Sequence, residues 1–127
     1  MSDSKREIRA WREVKKSEKF LNAFRGLYVF GRTTKNLYFH IFVALVVIIL
    51  GFYLKISSLE WIALIFSIGL VIITETINTA IEIDIDLTSP EYHPFARDTK
   101  DVAAAAVLVA AFTAVIIGFI IFLPKIF

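Results

Sequence analysis

The sequence predicts an all-α membrane protein: an N-terminal amphipathic surface helix followed by three transmembrane helices. Three observations predict it. The chain of 127 residues is 57% hydrophobic, more than a soluble domain of this length can bury. Its apolar residues come in runs long enough to cross a bilayer. Ten of its fourteen Lys and Arg residues, from Lys5 to Lys35, precede residue 36. That bias puts the N-terminus on the cytoplasmic side of a multi-pass protein of the cell membrane.

Residues 1–36 form a basic interfacial segment. They lack the apolar core of a cleavable signal peptide. Between residues 5 and 32, Ile8, Trp11, Phe20, Phe24, Leu27 and Tyr28 recur at spacings of three and four among charges. A helix of that pattern lies in the interface plane with its apolar side down. Anionic lipid headgroups are its expected partner. Nucleic acid is not, because nothing points to base stacking or groove reading. Gly26 and Gly31 loosen the entry into the membrane.

The first spanning helix is expected at 37–56, with His40 at its cytoplasmic end. Residues 56–60 make a turn short enough to force antiparallel neighbours. The second helix, 59–86, is apolar to Ile73 and then carries Glu75, Asn78, Thr79, Glu82 and Asp86 on one face. Thr88-Ser89-Pro90-Glu91-Tyr92-His93-Pro94 is the strongest breaker in the chain. The third helix is expected at 95–123, stopped by Pro124, and its Ala103–Ala106 run allows close backbone approach. The whole of 1–127 reads as a single domain.

Charged groups near hydrocarbon are costly and turn inward, toward a cavity or a ligand. The antiparallel arrangement returns Arg97, Lys100 and Asp101 to the same membrane side as the acidic face. Several carboxylates, an amide and two cations beside lipid are the parts that phosphoryl transfer uses. Carboxylates hold Mg²⁺ with substrate phosphates, a lysine meets phosphate, and a further carboxylate takes the proton of an attacking hydroxyl. No Gly-rich phosphate loop or soluble-kinase signature accompanies them. The bland alternative makes Glu75 and Glu82 interhelical hydrogen-bonding groups and Lys100 and Arg97 interfacial anchors. His40 and His93 have no second metal ligand at a suitable spacing and are read as packing or hydrogen-bonding residues. With no cysteine in the chain, thiol chemistry is excluded.

The pattern Glu75-x-x-Asn78-Thr79-Ala80-Ile81-Glu82 with Asp86, then Glu91-Tyr92-His93-Pro94-x-Ala96-Arg97-x-x-Lys100-Asp101-Val102-Ala103-Ala104, resembles the small prokaryotic integral-membrane diacylglycerol kinase and undecaprenol kinase family. Phe24-Arg25-Gly26-Leu27 and residues 36–40 extend the resemblance, so it covers about residues 19–123. Thr79 and Tyr92-His93-Pro94 lean toward the undecaprenol kinase branch. The resemblance implies a homotrimer with composite sites, Mg²⁺ with ATP as cofactor and a lipid alcohol as substrate. It implies Glu75 as the catalytic base, Glu82 as the metal ligand and Asn78 as a polar site residue. Lys100 would be the phosphate contact, with Asp86 and Asp101 on the nucleotide side.

One position departs from the family pattern. Thr34, eight residues after Gly26, stands where the family usually has a metal-binding glutamate, and a hydroxyl is a weaker ligand than a carboxylate. The expected activity is therefore an ATP-dependent lipid kinase, on undecaprenol first and diacylglycerol second, with weakened or altered metal use. The rivals are a non-catalytic or impaired family member and an ion or proton pathway lined by the same acids.

Overall fold

A computed structural model describes residues 3–5 and 19–127. The chain divides into two compact units, 1–33 and 34–127. In the first unit, helix α1 spans Lys19–Thr33. Phe20, Phe24, Leu27 and Tyr28 are exposed along it. The Arg32 guanidinium lies 5.5 Å from the centre of the Tyr28 ring one turn away, a cation–π contact. Ile8 and Trp11, which carried the beginning of the expected surface helix, lie outside the described residues.

The second unit holds α2 (Leu37–Tyr53), α3 (Ser58–Thr88) and α4 (Pro94–Ile126). Two of these, α3 and α4, are long and apolar enough to cross a membrane. At 17 residues, α2 meets the lower end of the length that spans. Among the described residues every regular element is a helix. The protein is an all-α membrane protein.

The first expected span, 37–56, is cut short, and the reason lies in the backbone. Lys55 adopts a left-handed conformation, φ 51°. The Ile56 amide then donates to the Gly51 carbonyl at 3.2 Å, and the Lys55 amide donates to that of Phe52 at 3.3 Å. These two bonds close a Schellman motif, which ends a helix by satisfying its last carbonyls. Gly51 is buried under Trp61 and Ile56. A Cβ added there would stand 2.8 Å from Trp61 Cη2.

Helix α3 starts at once. Ser57 Oγ accepts from the Glu60 amide at 3.2 Å, and a Glu60 carboxylate oxygen accepts from the Ser57 amide at 2.8 Å. This reciprocal capping box satisfies two orphan donors at the helix start. The buried side of α3 then runs Leu64, Ser67, Val71, Glu75, Thr79, a stripe at spacings of three and four. Its first part packs with Ile56, Ile121 and Phe122 into the apolar core of the unit.

At the other hairpin, His93 caps α4 by accepting from the Phe95 amide through Nδ1 at 3.2 Å. Pro94 sits in the first turn, where its missing N–H costs nothing. Pro124 does not end the helix as expected; α4 continues to Ile126. So close to the end, the ring removes only its own hydrogen bond, and the Phe127 amide still reaches the Leu123 carbonyl at 3.0 Å. Ion pairs tie α3 to α4 near both ends: Lys100–Asp86 at 2.5 Å and Lys125–Glu60 at 3.3 Å.

Candidate active site

The site lies where α3 passes the start of α2. Counting outward from the short turn at Ser57 places residue 40 level with residue 75, since the two helices run in opposite directions. There His40 Nε2 meets Glu75 Oε1 at 2.7 Å. One turn further along α3, the Thr34 and Thr79 hydroxyls meet at 2.9 Å. Glu75 and Thr79 are 7% and 6% exposed. A carboxyl group with so little water around it needs a partner, and His40 supplies one.

Beyond Thr79, α3 outruns the start of α2. The acidic face therefore changes character along its length. Glu75 and Thr79 are buried, whereas Glu82 and Asp86 are exposed. Asn78, half-buried, donates through Nδ2 to a Glu82 carboxylate oxygen at 3.4 Å, and its buried Oδ1 accepts no hydrogen bond from the described residues. Asp86 reaches across to Lys100 of α4. Asp101 lies 3.7 Å from Arg97 on its own helix, with both side chains well exposed. That pair stands apart from the others. Arg97 holds nothing on α3, in keeping with an anchor.

The expected residues thus gather as three pairs: His40 with Glu75, Asn78 with Glu82, Asp86 with Lys100. Glu75 does form an interhelical hydrogen bond, as the bland alternative held. Its other carboxylate oxygen carries no bond from the described residues, so the bond leaves proton chemistry open. Among the described residues no three His, Asp or Glu side chains converge on a metal position. Glu82 and Asn78 Oδ1, which has no partner among the described residues, lie one helical turn apart.

An apolar groove of about 540 Å³ runs along α2, α3 and α4. His40 and Phe39 line one end of it, Val71 and Ala111 its flanks, and Phe122 and Ile126 the other end. Ser67 is the other polar side chain in its wall, and its hydroxyl is turned back onto the Ala63 carbonyl at 2.8 Å. The groove therefore offers hydrocarbon surface along its length and, at its head, His40, which holds Glu75.

A family model described as prokaryotic diacylglycerol kinase matches residues 21–122. The chain belongs to that family. It is 43% identical over 106 residues to the undecaprenol kinase of Bacillus subtilis (strain 168), covering 84% of this chain and 86% of that protein. It is 38% identical over 106 residues to a diacylglycerol kinase of Synechocystis, covering 83% of this chain and 61% of that one. With the diacylglycerol kinase of Escherichia coli (strain K12) the identity is 38% over 72 residues, 57% of this chain and 59% of the relative. The chain thus spans under two thirds of those two relatives. The family assignment and the expected class of enzyme, a kinase acting on lipid, are borne out.

Two partners escaped the residue pattern. His40 was placed as a packing or hydrogen-bonding residue without a named partner, and Thr79 was on the face without a role. Counting residues outward from the turn at Ser57 is the signal that pairs His40 with Glu75.

Proposed function

We propose that this protein transfers the terminal phosphate of ATP to the hydroxyl of a membrane lipid alcohol, with undecaprenol as the substrate. The observation that carries this is Glu75: a buried carboxylate with one oxygen held by His40, which lines the head of an apolar groove. The likeness to the Bacillus subtilis undecaprenol kinase, which extends over most of both chains, supports a polyprenol.

In this reading the lipid hydroxyl stands beside the open oxygen of Glu75. The carboxylate takes the proton as the hydroxyl oxygen bonds to the terminal phosphorus and the bond to ADP breaks. Lys100 holds phosphate oxygens as a compact cation. Asp86 steadies its ammonium, while Asp101 stands farther out on the nucleotide side. Glu82 with Asn78 would hold Mg²⁺, which neutralises charge on the phosphates when bound. The N-terminus and the exposed acids face the cytoplasm, where ATP is, and the basic α1 rests on anionic lipid. A homotrimer completes the site, because three helices leave Glu82 and Asp86 uncovered. Diacylglycerol is the second substrate, supported by the Synechocystis and Escherichia coli relatives.

A specific observation favours one rival. Thr34 contributes a hydroxyl already bonded to Thr79, not a carboxylate, which suits an impaired or non-catalytic member. Phosphate transfer from labelled ATP into each lipid, in mixed micelles with and without Mg²⁺, separates the readings. The kinase transfers to undecaprenol in a Mg²⁺-dependent way. Glu75→Gln loses about two to four orders of magnitude in turnover, the range for a positioned base. Lys100→Met raises the KM for ATP. No product from either lipid by an intact wild-type assembly would overturn the proposal in favour of the rival.

A further inference from the structure

We infer that His40 is a positioning residue for Glu75: it fixes the carboxylate so that its open oxygen faces the hydroxyl delivered along the groove. The inference rests on the lipid-kinase reading above. A glutamate side chain turns about three bonds, and its carboxylate must lie within hydrogen-bond reach of the proton it removes. Left free, it would spread over several rotamers. The 2.7 Å contact from His40 removes that freedom, and it comes from a different helix, so the two backbones set its direction. The imidazole is itself held. Its neighbour Phe39 meets it edge-on at 5.8 Å between ring centres, and its side chain is 18% exposed.

The choice of imidazole has a chemical reason. In the Nε2–H tautomer it donates to the ionised carboxylate while remaining neutral. A lysine or arginine in the same place would bring a full positive charge and make Glu75 a poorer base. A neutral imidazole orients the acid through one hydrogen bond, without a fixed full charge beside it. Its position matters as much, because the same ring lines the head of the groove. The residue that aims the base therefore also borders the space through which the substrate approaches. Nothing in the proton inventory requires His40 to accept the proton. It passes from the lipid hydroxyl to Glu75 and later to water.

The test uses two substitutions in the full-length protein. His40→Leu keeps bulk and loses the donor. His40→Gln keeps an N–H donor near the position of Nε2. His40→Leu is expected to lower kcat about tenfold to a hundredfold, the span of one hydrogen bond to a charged group. The KM for lipid and for ATP should stay within about twofold of wild type. His40→Gln is expected to recover most of kcat. Unchanged kcat in His40→Leu overturns the inference, as does His40→Gln falling equally far while its melting temperature matches wild type. A wild-type protein that phosphorylates neither lipid overturns the kinase reading and this inference together. Wild-type transfer with an insensitive His40→Leu overturns this inference alone.

Discussion

Replacing Gly51 by alanine should loosen the turn that sets α2 against α3. A Cβ at this position would stand 2.8 Å from Trp61 Cη2, 3.1 Å from Trp61 Cζ2 and 3.1 Å from Ile56 Cδ1. Carbon atoms in good contact lie about 3.5–4.0 Å apart, so the new methyl group is too close to all three. The indole cannot simply swing away, since its ring packs on Phe52 with 4.7 Å between centres. Overpacking of this kind costs about 1–3 kcal/mol. Glycine to alanine within a helix otherwise gains about 0.5–1 kcal/mol. The expected net effect is a loss of about 1–2 kcal/mol, measured as a shifted midpoint of denaturation by SDS in mixed micelles. Gly69→Ala is the control, because nothing lies within 4 Å of its added Cβ, and it should be neutral or slightly stabilising. Trp61→Leu should remove most of the penalty of Gly51→Ala, giving a coupling of about 0.5–3 kcal/mol in a double-mutant cycle. A Gly51→Ala protein as stable as wild type, with no coupling to Trp61, would refute the packing argument.

Two further outcomes concern the reaction. Gly118→Phe should raise the lipid KM several-fold by filling the groove that Gly118 lines; an unchanged lipid KM would place the substrate elsewhere. Thr34→Glu should increase Mg²⁺ affinity or turnover by adding a carboxylate while breaking the bond to Thr79; a variant with neither gain removes Thr34 as an explanation for weakened metal use.

Much of the fold was legible in the residues because the signals were local. The Ser57…Glu60 pair and the two prolines around Glu91 mark helix boundaries that depend on the chain a few residues either way. The end of α2 was less legible. It turns on Lys55 entering a left-handed conformation that glycine usually fills, and on an indole from the next helix closing over Gly51. Pro124 misled for a related reason: a proline breaks a helix interior, but in the last turn there is little left to break. For the site, helical periodicity placed Glu75 and Thr79 on the buried stripe and Glu82 and Asp86 along its continuation. It could not show that burial stops after Thr79, because that depends on where α2 begins. The sequence put Arg97, Lys100 and Asp101 on one side of the membrane with Asp86; side-chain reach pairs Asp101 with Arg97 and Asp86 with Lys100.

The length of α3 has a consequence for where two very different reactants meet. Thirty-one residues at 1.5 Å each make a rod of about 46 Å, against about 30 Å of hydrocarbon, and a tilt of about 20° shortens its projection only slightly. Under the proposed kinase reading the excess carries Glu82 and Asp86 beyond the hydrocarbon, so a nucleotide would not have to be drawn below the headgroups. In the same reading the lipid alcohol would have only to raise its polar tip to the boundary, with the meeting depth built into the number of residues in one helix.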